Sequence, residues 1–322
     1  MNNYSEKNIK TLSPLEAMRE KHGMYLGSTG TDAITHISKE ILSNSMDEFL
    51  AGYGDKIIVE VQENSIKIQD FGRGIPHGKL EEIFTIPHTS GKFKGTGGYE
   101  VSGGLNGIGT KLATANGKIE VVSTIKGKSM LGIYEYGKDY ITKEAGKAKV
   151  DGTTITWTPH KEPFGTDKVK ADEVKELCRE MAFICPHLEI EYKHNKEKET
   201  FYSEDLSDFI KYLTADDKLL SPIMTFEEES GNVKLEGAIA WSDGYEGERT
   251  YVNLIPTRDG GNHVSAIKTA LTREWNKHFD TSFSGLDIRQ GFQLVLSIKT
   301  TAEPEFSGQA KDKLNMREEV SK

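Results

Sequence analysis

The chain has 322 residues, enough for two ordinary domains that each bury a core. Its 50 acidic against 41 basic side chains give a net charge of -9, which excludes the broad basic field of a protein that grips nucleic acid over its whole surface; any DNA contact must come from a local patch. No apolar run reaches the ~20 residues of a membrane span. The polar start MNNYSEKNIKTLSP lacks the apolar core of a signal peptide, and Cys178 and Cys185 fit neither a CxxC pair nor a disulfide framework, so the expectation is a cytoplasmic protein with two buried thiols.

In chain order, an irregular arm leads into a long helix over TDAITHISKEILSNSMDEFLAGYG that stops at Gly52 or Gly54. KIIVEV and SIKIQD read as a hairpin, and KIEVVSTI, LGIYEY and GTTITWTP as further strands. A helix is expected over DKVKADEVKELCREMAFIC, then a strand at LEIEYK and a short helix at SEDLSDFIKYL. The polar stretch TADDKLLSP suggests a domain boundary near Asp216. Beyond it come strands KLEGAIAWS and RTYVNLIP, a helix over GNHVSAIKTALTREWNKHF and a strand GFQLVLSIK, an independent α+β unit. Neither internal repeats nor long low-complexity tracts interrupt this order.

At about 100° per residue, His36, Glu40, Asn44 and Asp47 fall on one stripe of the first long helix, opposite Leu42 and Phe49. A solvated face is the ordinary explanation, yet such faces mix signs and this stripe has no lysine or arginine. Paired work is the alternative: Glu40 deprotonating a water, and Asn44 one turn on offering its oxygen to Mg2+.

Four glycines, Gly103, Gly104, Gly107 and Gly109, crowd the stretch VSGGLNGIGTKL, which by itself suits a tight turn as well as a phosphate. DFGRGIP, Asp70 to Pro76, follows a strand. Asp-Phe-Gly invites a protein-kinase reading, but no HRD-type loop precedes it, no VAIK-type strand is present and the glycine loop comes after it. A dinucleotide-binding reading fails too, because GGLNGIG lacks a βαβ unit with an acidic residue about 20 positions on.

What remains is an order of parts: Glu-x-x-x-Asn on a helix (Glu40, Asn44), Asp-x-Gly-x-Gly (DFGRG), Gly-x-x-Gly-x-Gly (GLNGIG) and Gly-Thr on a later strand (Gly152, Thr153). In that order they resemble the GHKL ATPases, the superfamily of gyrase B, Hsp90, MutL and histidine kinases. HGMYLGS, DFGRGIP, the lid-like TSGKF...YEVSGGLNGIG, and IPTRDGGNH with EPEFSGQAKDKL narrow the resemblance to the ATPase region of type IIA DNA topoisomerases, over nearly the whole chain.

The resemblance implies an α+β chain: a Bergerat-type ATPase sandwich with a mixed sheet over residues 1–215, arm included, and an S5-like transducer domain, C-terminally incomplete, over 216–322. It implies ATP and Mg2+ as ligands, with Glu40 as general base, Asn44 as magnesium ligand and Asp70 as acceptor for the adenine amino group. Thr153, Ile75 and Pro76 would line the base pocket, with Arg73 paired to Glu48 as a wall. Lys92 and Tyr99 would belong to the lid, and Gly103, Gly104, Leu105, Asn106, Gly107, Ile108 and Gly109 would bring bare backbone N–H groups to the triphosphate. Lys311, with Gln309, would reach the γ-phosphate from the second domain. Three positions depart from the pattern: Glu100 stands where bacterial gyrases have lysine, Asn106 where they have histidine, and Ala310 replaces the usual threonine. They suggest a divergent, phage-type member.

The implied activity is the ATP-hydrolysing gate of a type II topoisomerase that closes into a homodimer on ATP and captures a DNA duplex. Cutting would fall to a cleavage and religation region or subunit, which this chain lacks, and no membrane is involved. Two rivals stand beside it: a stand-alone ATP-gated clamp, and an adaptor that keeps only the fold, against which Glu40, Asn44, Asp70 and Lys311 speak.

Overall fold

The computed structural model describes residues 9–92, 98–99, 101–103, 107–307 and 311–315. It begins with helices where the sequence suggested an irregular arm. Ser13 caps α1 (Pro14–Glu20): its hydroxyl accepts from the Glu16 N–H, the Glu16 carboxylate accepts from the Ser13 N–H, and Pro14 needs no N–H partner at the first helical position. This capping box overrides the polar, loop-like composition. Helix α2 (His22–Leu26) ends on Gly27 in the left-handed conformation.

The long helix α3 (Gly30–Leu50) buries Ala33, Ile34, Ile37, Ile41, Leu42 and Met46 along one stripe, as its periodicity required. Strands β1 (Lys56–Gln62) and β2 (Ser65–Asp70) form the expected hairpin, in register from Gln62 opposite Ser65 to Ile57 opposite Asp70. Then come α4 (Leu80–Thr85), α5 (Gly109–Asn116), β3 (Gly117–Ile125), β4 (Lys128–Glu135), β5 (Ile141–Lys147), β6 (Gly152–Pro159), α6 (Lys161–Phe164), α7 (Ala171–Ile184), β7 (Glu189–His194), β8 (Glu197–Phe201) and α8 (Ser207–Leu213). The second half holds β9 (Met224–Ser230), β10 (Val233–Trp241), β11 (Gly247–Val252), β12 (Ile255–Pro256), α9 (Asn262–Phe279), α10 (Gly285–Ile288) and β13 (Phe292–Thr300).

One sheet has eight strands in the order β5-β4-β3-β6-β2-β1-β7-β8, and the other five, β12-β11-β13-β10-β9. In the second, β11 runs parallel to β13 while β10 is antiparallel to it. A parallel neighbour needs a crossover, which α9 supplies. The chain packs as two compact units, Met1–Gly98 with Gly104–Lys175 and Tyr192–Glu199, and Tyr99–Gly103 with Glu176–Glu191 and Thr200–Lys322.

The stretch RTYVNLIP is not one strand. Asn253 and Leu254 both take positive φ, 48° and 68°, and turn the chain back so that Val252 faces Ile255. A type I′ two-residue hairpin loop demands that conformation at both positions. The Asn253 amide, exchanging hydrogen bonds with the Thr300 backbone at 2.8 and 2.9 Å, holds it there.

In the first unit the core collects Trp157, Tyr134, Phe84 and the apolar stripe of α3. Trp157 keeps its indole N–H satisfied on the Ala113 carbonyl at 2.9 Å. In the second, Val233, Val252, Val264, Phe292, Leu294, Leu296, Ile298 and Leu314 form one cluster. Cys178 and Cys185 are buried thiols, and burial pushes the Cys178 thiol far above its ordinary value. Among the described residues no helix is long and apolar enough to cross a membrane.

Candidate functional site

Helix α3 organises the polar end of the first unit. The stripe expected on it is graded: His36 and Glu40 side chains are 42% and 38% exposed, Asn44 is half-buried, and Asp47 is fully buried. His36 Nε2 stands 3.7 Å from Glu40 Oε1. Asn44 spends its N–H2 group on the Glu40 carbonyl at 2.8 Å, which turns its Oδ1 outward, where Lys92 Nζ donates to it at 2.6 Å. Lys92 also forms an ion pair with Asp47, so this buried carboxylate has its counter-charge beside it.

The first residue of α5 packs directly on Glu40. A Cβ at Gly109 would overlap Glu40 Oε2, so a side chain there would have to push the carboxylate aside.

Asp70, at the end of β2, is buried and accepts three hydrogen bonds. Its Oδ1 accepts from the Gly72 and Thr153 N–H groups, both at 3.0 Å, and its Oδ2 accepts from Ser45 Oγ at 3.0 Å. Burial pushes the carboxyl up from 3.8 to about 6, with those hydrogen bonds pulling against the rise. Thr153 is buried on β6 next to it. Oδ1 has both lone pairs occupied, so Oδ2 keeps the one acceptor direction left for a ligand's N–H.

Arg73 and Glu48 pair as expected, with Nε to Oε2 at 3.1 Å and Nη2 to Oε1 at 3.0 Å. Arg73 Nη1 also donates to the Gly98 carbonyl, and its guanidinium lies over the Tyr53 ring at 4.2 Å. Ile75 is half-buried and Pro76 exposed. Ser123 on β3 fixes this turn, its Oγ accepting from the Ile75 N–H at 2.7 Å and donating to the Ile75 carbonyl at 2.8 Å.

Sequence reasoning missed Ser45, Ser123 and Lys111. Lys111, in the first turn of α5, is 1% exposed and donates to the Thr89 carbonyl at 2.8 Å. Burial, with the nearby Lys92 charge, pulls its ammonium down from 10.5 to about 8. Its place right after the glycine loop was the available signal; Ser45 and Ser123 left none, since each acts across a contact distant in sequence. Gly107 takes a φ of 58° and Ile108 caps α5. Tyr99, Gly103 and Lys311 cluster with the second unit, where Lys311 has a φ of 60°. Gly104, Leu105, Asn106, Gln309, Glu100 and Ala310 lie outside the described residues.

Among the described residues no three His, Cys, Asp or Glu side chains gather to hold a metal by themselves. Mg2+ does not require that: it takes one or two protein oxygens, keeps several waters and uses substrate phosphates. Asn44 Oδ1, already drawing an ammonium to 2.6 Å, is an oxygen of the right kind, and the residues present fit the ion.

The chain is similar to known proteins over most of its length. Residues 29–163 match the family of histidine kinase-, DNA gyrase B- and HSP90-like ATPases, and residues 205–322 match the DNA gyrase B family. The chain is 38% identical to the B-subunit of DNA topoisomerase 4 from Bacillus subtilis over 98% of its own length and 52% of the relative's. It is 37% identical to the B-subunit of DNA gyrase from Clostridium acetobutylicum over 98% and 53%. It thus spans about half the length of the curated relatives it matches. The crystal structure of the 43K ATPase domain of Thermus thermophilus gyrase B superposes with a TM-score of 0.77 at 28% identity, covering 94% of this chain and 84% of that one. An ATPase-type region whose Asp70, Glu40 and glycine-started α5 meet on one helix, followed by a gyrase B-type region, makes this chain a member of the family that gyrase B shares with its topoisomerase IV counterpart.

Proposed function

We propose that the chain binds and hydrolyses ATP in the cytoplasm as the nucleotide-operated gate of a type II DNA topoisomerase, with residues 1–215 as the ATPase domain and 216–322 as the transducer. The observation that carries this is α3 serving two ends of one site: Ser45 fixes the Asp70 carboxylate, and little more than one turn earlier Glu40 faces the first residue of α5.

Asp70 Oδ2 accepts the adenine amino hydrogen, and Thr153, Ile75 and Pro76 border the base. Glu40 takes the proton of the attacking water. Asn44 Oδ1 would hold Mg2+, which when bound would supply positive charge against the phosphates. Lys92 and Lys111 bring two more cations to the glycine loop, whose N–H groups receive the triphosphate with Tyr99 beside it. Lys311, together with Gln309, contacts the γ-phosphate.

ATP then joins two copies around a DNA duplex, and a cleavage and religation region or subunit does the cutting. The relatives are topoisomerase subunits, which favours this assembly over a stand-alone clamp. Steady-state ATP hydrolysis with Mg2+, and sedimentation with a non-hydrolysable ATP analogue, are the tests. Turnover with ATP-dependent dimerisation is expected; a chain that neither turns over ATP nor binds the analogue would overturn the assignment.

A further inference from the structure

The second unit presents Lys311 through an unusual backbone, and the groups that hold this backbone are main-chain atoms. Lys311 sits at a φ of 60°, in the left-handed region that a residue with a Cβ seldom enters. The residues just after it are fastened to the turn before α9. The Asp259 N–H donates to the Asp312 carbonyl at 2.8 Å, and the Leu314 N–H donates to the Gly260 carbonyl at 3.0 Å. From the other side the Ser307 N–H donates to the Lys313 carbonyl at 2.9 Å, and the Leu314 side chain is sunk in the core cluster beside Val252 and Val264.

The turn is itself tied to the sheet. Thr257 donates its N–H to the Thr250 carbonyl at 2.8 Å, the two threonine hydroxyls meet at 2.6 Å, and His263 Nε2 lies 3.2 Å from Thr257 Oγ1. Contact between turn and loop is closest at Gly261, whose φ of 146° no other residue adopts comfortably. A Cβ there would overlap the Leu314 carbonyl oxygen and come within 2.9 Å of the Leu314 nitrogen.

We propose that Gly261 is a positioning residue for Lys311: the turn from Thr257 to Gly261 clamps residues 312–314 by backbone contact and so fixes where the Lys311 ammonium is presented. This rests on Lys311 being the γ-phosphate contact. A side chain at 261 must push the loop off the turn and displace the lysine while leaving the adenine end untouched.

The experiment is a double-mutant cycle on the full 322-residue chain with Gly261→Ala, Lys311→Ala and the pair, reading kcat and KM for ATP and affinity for ADP. Gly261→Ala should lower kcat by about tenfold or more with ADP affinity unchanged, and the pair should be no slower than Lys311→Ala alone. Losses that multiply, full turnover in Gly261→Ala, or an equal loss of ADP affinity would overturn the clamp while leaving the role of Lys311 standing. Wild-type turnover in Lys311→Ala would instead remove the functional assignment itself, and the clamp with it. Should Gly261→Ala not fold, Thr257→Val loosens the same turn without adding bulk at the contact. It should show a smaller kcat loss that is again absent in the Lys311→Ala background, and a loss that multiplies there would overturn the clamp.

Discussion

The candidate site in the first unit is held by side chains, and the Lys311 loop in the second by main chain. Asp70 is fixed by Ser45 and two N–H groups, Asp47 by Lys92, and Glu48 by Arg73. Residues 312–314, which follow Lys311, are fastened by backbone-to-backbone bonds. Side-chain networks fix individual atoms, so a substitution there changes one chemical step. A backbone clamp fixes a segment, and a substitution in it moves whatever the segment carries.

Substitutions that separate chemistry from binding test this contrast most sharply. Glu40→Ala should reduce ATP turnover by about 10²–10⁴-fold while a non-hydrolysable ATP analogue still binds in calorimetry, because removing a general base leaves the ligand contacts intact. Equal losses of binding and turnover would mean that Glu40 holds the nucleotide instead. Lys311→Ala should cost about a hundredfold in turnover yet bind ADP almost normally, since a charge-assisted bond to the γ-phosphate exists only with ATP. If Lys311 reaches the γ-phosphate, small-angle scattering should show a compaction with a non-hydrolysable ATP analogue, absent with ADP, in the wild type and not in this variant; a variant that compacts and turns over normally would reduce the loop to surface.

Asp70→Asn should weaken ATP and ADP alike by about 1.5–3 kcal/mol, roughly 10- to 150-fold. The two N–H groups on Oδ1 oblige the amide oxygen to stay there, so the new N–H2 group points at the adenine amino group, donor against donor. Unchanged ADP affinity would show that another group reads the base.

The smallest effect is in the pH profile. Binding as an acceptor needs the Asp70 carboxylate ionised, and its pKa lies at about 6. Wild-type affinity for ADP should therefore fall by about tenfold per pH unit below that point, with no such fall in Asp70→Asn. Stability moves the opposite way. A carboxyl whose folded pKa is raised favours the folded state below its ordinary value, and that contribution is lost as pH rises through about 6. Melting curves between about pH 4 and 7 should show the wild type gaining on Asp70→Asn as the pH falls from about 6 toward 4, with no relative change above about 6. Parallel curves would place the titration elsewhere.

Much of the architecture was legible in the sequence because its elements carry their own physical signal. Helix α3 has an apolar stripe at helical period, and β1, β2 and β6 alternate buried and half-buried positions. Strands β5, β8 and β9 gave no such signal. They lie at sheet edges, and β5 and β9 expose nearly every side chain, so nothing forces their hydropathy to alternate. Charged side chains on such strands keep an edge from pairing with another chain. The capping box of α1, Ser13 with Glu16, stands in the sequence, yet the stretch reads as an irregular arm.

For the site the division is similar. Glu40, Asn44, Asp70, Thr153 and the glycine loop stand in sequence as short motifs, because side chains on one turn or one helix face keep fixed spacings. That Asp70 is buried with its carboxyl raised to about 6, that Lys92 neutralises Asp47, that Lys111 is buried at the start of α5 and that Gly261 bears on Leu314 were decided only in three dimensions. Each depends on two segments distant in the chain meeting at hydrogen-bond or van der Waals range. Desolvation and close backbone approach are properties of that meeting, and no residue taken singly encodes them.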